Sequence, residues 1–188
     1  MLVSVLLLRK AIYNTSKSDE VNMSIRPIVR CKGHLSKTEI LKLTKEQEIN
    51  ELGQHELGDI GERITRDVLI PRIQNISRVR RLDLKGVSGV PFDVVATYGA
   101  EIWLIETKTG KTRFEGIQAT QKERMRIILE ILAKKGIAAR PILVQIKLST
   151  GQYVVRDFNT EYKKKGLAPT FERIVGRILE YAQDQKSH

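Results

Sequence analysis

Apolar and polar positions along the chain follow two periods. Leu57, Ile60, Ile64 and Val68 recur at helical spacing and predict a helix from about Leu57 to Ile70, stopped by Pro71. Met125, Ile128 and Leu132 mark one face of a second helix, about Gln118 to Lys135, with Gly136 as its stop. Between them, "NISRVRRLDL", "PFDVVATY" and "EIWLIETKT" read as three strands separated by "KGVSG" and "GA". Further on, "ARPILVQIKLS" and "QYVVRDF" read as strands and Ala168 to Gln183 as a closing helix. Upstream, "SKTE" (Ser36 to Glu39) and "TKEQ" (Thr44 to Gln47) are capping-box patterns that start short helices. The order α-β-β-β-α-β, followed by β-α, predicts an α/β fold. Its mixed central sheet carries helices, and its last core strand enters through a helical crossover. Residues 1–55 form an N-terminal helical arm, partly mobile. Residues 56–188 form the domain, with a core over 56–150 and a strand-helix extension over 151–188.

Composition narrows the partners. Lys and Arg number 33 against 22 acids, a net charge of +11 that suggests a polyanion, most commonly nucleic acid. Solubility alone or a ribosome-like contact is the alternative. A single cysteine, Cys31, excludes an internal disulfide and a cysteine zinc cluster, and His34, His55 and His188 lack metal-ligand spacing. An intracellular, cytoplasmic setting fits. "MLVSVLLL" is too short to span a bilayer and has no basic segment before it, so neither a membrane anchor nor a signal peptide is expected. It reads as a strand, a packing arm, or sequence upstream of a start at Met23.

Charge placement in the hairpin changes the picture most. Gly99-Ala100 suits a two-residue type II′ turn, which pairs Tyr98 with Glu101. Continuing that pairing puts Asp93 opposite Glu106, with Cβ atoms about 4.5–5.5 Å apart on one face. Two such carboxylates repel unless a positive charge lies between them. Lys108 supplies one charge on the same face, and a hard divalent cation such as Mg²⁺ suits the oxygen donors. A solvated strand face with a weak ion pair is the alternative. The apolar surroundings, Pro91-Phe92, Val94-Val95 and Ile102 to Ile105, favour the site.

"PFD" followed by "ETK" resembles the PD-(D/E)xK nuclease superfamily, and αβββαβ is the order of its restriction-endonuclease-like core. "GDIGERITRDVL" resembles its first core helix, with Glu62 at the place of a further site acid. Gln118 and Gln121 match the place of a helical glutamine beside the metal in some branches. "VRRLDLKGVSGVPFDVVA" and "QIKL" are similar to archaeal Holliday-junction resolvases and Mrr-like endonucleases. The likeness spans about residues 56 to 150. Phe92 separates Pro91 from Asp93, a departure from the contiguous pair. The resemblance implies a Mg²⁺-dependent DNA endonuclease, with Mn²⁺ able to substitute, acting on branched or double-stranded DNA. A restriction or repair nuclease, or a non-catalytic DNA-binding or assembly subunit, is the alternative. It implies metal ligation by Asp93, Glu106 and the Thr107 carbonyl, and a water-orienting or charge-stabilising Lys108. Glu62 either reaches the ion through water or a second ion, or is a solvated first-turn acid. Gln121 either faces the site or lies on the surface.

Phosphate contacts are expected from basic and polar groups around the site: Arg80, Arg81, Lys85, Ser88, Lys111, Arg113 and Lys122. Strand alternation separates Arg80 from Arg81. Aromatic residues make up only 5%, which argues against a stacking platform for single strands. A homodimer is expected, since a four-way junction offers two symmetric cuts. The Phe171, Ile174, Ile178 and Tyr181 stripe either forms that interface or packs on its own sheet, and "LVSVLLL" could pair across the twofold instead.

Overall fold

The computed structural model describes residues 30–44, 48–81, 90–157 and 170–184, with side chains from Arg173 onward in the last stretch. Six strands form one mixed sheet: β1 (Arg30–His34), β2 (Ile76–Arg80), β3 (Val94–Tyr98), β4 (Glu101–Gly110), β5 (Ala139–Lys147) and β6 (Gln152–Asp157). Their order across the sheet is β1-β6-β5-β4-β3-β2. Four α-helices accompany them among the described residues: α1 (Lys37–Thr44), α2 (Gln54–Ile64), α3 (Ala119–Lys134) and α4 (Thr170–Gln183). β4 and β5 run parallel and α3 connects them, as the expected crossover requires; the other neighbours are antiparallel. The molecule is therefore an α/β protein with a mixed six-stranded sheet.

Each sheet face buries its own cluster. Trp103 and Ile105 pack with Leu57, Ile60 and Ile64 of α2, whereas Leu104 and Leu143 pack with Met125, Ile128 and Leu132 of α3 and with α4. Period-2 alternation along β4 feeds both clusters, which is why its apolar run is continuous. Ile174, Ile178 and Tyr181 lie in the second cluster, so they pack on their own sheet. Tyr181 also places its hydroxyl 3.0 Å from Thr97 Oγ1 and donates to the Arg78 carbonyl at 3.3 Å. The Phe171 side chain and "LVSVLLL" lie outside the described residues.

Two local features differ from the periodic expectation. The first core helix starts at Gln54, and its last turns open into a π-turn over Thr65–Leu69 and a 3₁₀ turn over Ile70–Arg72. A π-turn takes more residues per turn, so the buried apolar positions after Ile64 are Leu69 and Ile70, while Val68 is only partly buried. The segment before the expected core is also part of the sheet. β1 pairs antiparallel with β6, and Leu35, Ile40 and Leu52 are buried in the α2-side cluster. Gly33 sits opposite Tyr153, whose hydroxyl would meet a Cβ there at 2.3 Å, so the glycine makes room for the tyrosine side chain. Ser36 caps α1 with Glu39 in the expected reciprocal box, and Glu39 also pairs with Arg72. "TKEQ" falls largely on residues outside those described.

Candidate active site

The hairpin brings the charged residues to one place. Gly99 has φ of +57° and Ala100 is not in the left-handed region, as a type II′ turn requires. The ladder runs in the expected register from Tyr98↔Glu101 to Val94↔Ile105 and stops one step short of Asp93. Asp93 donates its N–H to the Ile105 carbonyl at 2.8 Å, and its Oδ2 accepts the Thr107 N–H at 2.7 Å. The carboxylate thus replaces the partner strand that β4 loses at this point.

Glu106 is only 2% exposed, yet its carboxylate is well bonded. Its Oε1 accepts from Lys108 Nζ at 2.7 Å and from Gln121 Nε2 at 2.8 Å. Gln121 stands at the third position of α3, where its Oε1 also accepts the N–H of the cap residue Gln118 at 3.3 Å. One amide therefore ties the start of α3 to the site carboxylate. Of the two readings open for Gln121, the contact with Glu106 is the one observed.

From the opposite face, α2 approaches closely. A Cβ at Gly61 would meet Thr109 Oγ1 at 1.7 Å, so only glycine permits this contact. Thr107 Oγ1 donates to Thr65 Oγ1 at 3.1 Å, just where the π-turn begins. This packing puts Glu62, the next residue after Gly61, over the C-terminal half of β4. Its buried Oε2 lies 3.2 Å from an Arg81 guanidinium nitrogen but outside hydrogen-bond geometry. Gly61 and Thr65 escaped the sequence reading. A glycine on the apolar face of a helix, one turn after Leu57, is the signal for the first.

Burial sets the electrostatics. Asp93 keeps part of its surface open, but protein surrounds its carboxyl; desolvation and the Glu106 charge push its pKa up to about 8, against the Thr107 hydrogen bond. Desolvation also raises Glu106, with Lys108 and Gln121 opposing it, and raises Glu62, with Arg81 opposing it. Three acids that influence one another are thus held where ionisation is costly. Among the described residues no three His, Cys, Asp or Glu side chains are close enough to hold a metal ion together. The oxygen donors that fit a hard divalent cation are Asp93, Glu106 and the Thr107 carbonyl, and the unbonded Glu62 Oε2 is a further acceptor.

The expected phosphate contacts do not share one surface. Arg81 faces Glu62, whereas Arg80 Nη1 lies 3.9 Å from Asp184 beyond α4, and Arg78 lies 5.6 Å from the Tyr181 ring centroid. Lys111 donates to the Asn50 carbonyl at 2.7 Å, and Arg113 pairs with Glu115 at 3.0 Å. Lys122 is half-buried on α3, and Lys85 and Ser88 lie outside the described residues. No described helix is long and apolar enough to cross a membrane. In comparison with known proteins, no protein-family model and no curated protein matches this chain.

Proposed function

We propose that the chain is a Mg²⁺-dependent DNA endonuclease with a restriction-endonuclease-like core of the PD-(D/E)xK type, acting on branched DNA. One observation carries this reading. Asp93 and Glu106 are buried together at the open end of the hairpin, with Lys108 Nζ 2.7 Å from Glu106. A structural role would be served better by apolar side chains, because such burial of two acids opposes folding.

Asp93, Glu106 and the Thr107 carbonyl would hold Mg²⁺ or Mn²⁺. When bound, the ion lowers the pKa of a coordinated water and offsets charge on the phosphate. Lys108 keeps its ammonium at the carboxylate, where it can orient the attacking water or stabilise charge on the phosphoryl oxygens. Gln121 fixes the rotamer of Glu106, and Arg81 offers a second cation across from Glu62. A twofold dimer would bring two such sites to the two strands of a junction.

The test is metal-dependent cleavage of linear, nicked, flapped and four-way DNA by the purified chain. Cleavage of the branched substrates, lost without metal, is the expected result. Cleavage of linear duplex alone would move the assignment to a restriction or repair nuclease. Tight DNA binding without any cleavage would leave a non-catalytic binding subunit.

A further inference from the structure

The sheet face that carries Glu106 and Lys108 continues past β5 onto strands outside the expected core. Cross-strand partners share a face, so the ladder places Glu106, Leu143, Arg156 and Arg30 in one row across four strands. The next row holds Lys108, Gln145, Val154 and Lys32. Lys147 belongs to the row after that. Arg30, Lys32 and Arg156 are exposed, and the positions of this face on β1, β5 and β6 carry no acid.

Two features set these cations apart from ordinary surface charge. First, Arg30 and Arg156 are direct cross-strand partners, an arrangement of like charges that destabilises a sheet. Among the described residues no acid forms an ion pair with Arg30, Lys32, Lys147 or Arg156 to relieve it. Second, Arg156 is aimed. Its Nε donates to Gln145 Oε1 at 3.3 Å, and Gln145 Nε2 is itself anchored on the Glu115 carbonyl at 2.7 Å. Gln145 is the strand neighbour of Lys108, so the anchored guanidinium stands in line with the candidate site.

We infer that the β1–β6 face is a docking surface for the phosphate backbone of duplex DNA, leading one arm of the substrate to the Asp93–Glu106–Lys108 site. Three inter-strand spacings separate Glu106 from Arg30, about 14 Å. That is about four base-pair steps of about 3.4 Å along the axis of a duplex. An anion between Arg30 and Arg156 removes their repulsion, which gives the pair a purpose that folding alone does not. The inference deepens the nuclease reading and rests on it for the position of the cut, but its binding step is separable.

The experiment uses the full chain in chelator, so that no cleavage occurs, and a short labelled DNA duplex. Affinity is followed by fluorescence anisotropy across a salt series. The variant Arg30→Gln/Lys32→Gln/Arg156→Gln is compared with a control of equal charge loss at exposed positions of α1 and the C-terminal end of α3, Lys42→Gln/Lys134→Gln/Lys135→Gln. The face variant is expected to bind at least about tenfold more weakly, with a log–log salt slope shallower by about 2.7, or about 0.9 per lost contact. The control is expected to stay near the wild-type slope. Should the triple variant fold poorly, Arg30→Gln/Lys32→Gln serves instead, with a slope change of about 1.8. Equal affinity and slope in wild type and face variant would overturn the inference, as would an equal loss in the control. So would wild-type preference for anionic vesicles over duplex. Wild-type binding that the face variant loses, with no cleavage in Mg²⁺, would keep the docking face and sink the nuclease. Cleavage with unchanged binding in the face variant would do the reverse.

Discussion

The two halves of β4 share one ladder with β5, unbroken from Ile102↔Ala139 to Gly110↔Lys147, but they live in different surroundings. Ile102 to Ile105 have β3 on the other side and a hydrophobic cluster on each face. Glu106 to Gly110 have lost β3, which pairs only as far as Val94↔Ile105. Every side chain from Ile102 to Ile105 contributes burial, whereas Glu106, Thr107 and Lys108 are spent on hydrogen bonds and charge. The contrast shows how a central strand can carry a site. Its backbone is fixed by one neighbour, while the other ends early beside Glu106.

Substitutions should fall out along that divide. The largest effect is expected in the polar half: on the proposed nuclease reading, Asp93→Asn or Glu106→Gln should abolish metal-dependent DNA cleavage while circular dichroism remains native. Normal cleavage by either variant would remove the site from β4. In the apolar half, Trp103→Ala should cost about 3–5 kcal/mol in denaturant unfolding, because the 1%-exposed ring leaves a cavity. A loss under about 1 kcal/mol would mean that the halves are not energetically distinct.

Gly61→Ala couples the halves. Its Cβ cannot coexist with Thr109 as placed, so α2 should lift, at a cost of about 1–3 kcal/mol in thermal stability and, on the proposed nuclease reading, with a fall in cleavage as Glu62 moves. A wild-type melting point with wild-type activity would show that the close approach is not needed.

The pH effect carries a sign. Unfolded, Asp93 ionises near 3.8, and in the folded chain near 8. Between those values the folded state holds a proton that the unfolded state has released. This contribution therefore weakens the wild-type fold as pH rises from about 4 to about 8. Without metal, Asp93→Asn should be the more stable protein at pH 8, with the gain vanishing near pH 4. Mg²⁺ should raise the wild-type melting point at pH 8 and leave the variant unmoved. A gain that grew toward acid pH would contradict the burial argument.

The hairpin, its register and the inner face of α3 could be read from alternation and spacing, since local periodicity determines them. Asp93 shows where that reading stops. Pairing logic put it opposite Glu106 but did not show its carboxylate bonding the Thr107 N–H, because that depends on β3 ending there. β1 was hidden for another reason. "RCKGH" is polar, short and interrupted by Gly33, and becomes a strand by pairing along β6, with Tyr153 filling the space over that glycine. The π-turn at Thr65 leaves no periodic mark, as it arises where α2 meets β4. Arg80 and Arg81 could be assigned to opposite faces, but their acidic neighbours, Asp184 and Glu62, come from distant segments.

The pairing of β1 with β6 joins the first and last strands among the described residues. During synthesis β1 emerges first and waits through every other strand for its partner, so its docking closes the longest loop in the sheet. It should therefore be the last strand to assemble and the first to open. Amide protons of Cys31 and Gly33 should exchange with solvent by local opening, while those in β4 wait for global unfolding. Arg30 and Lys32 travel with that strand, so a bound polyanion would hold shut the loosest edge of the protein.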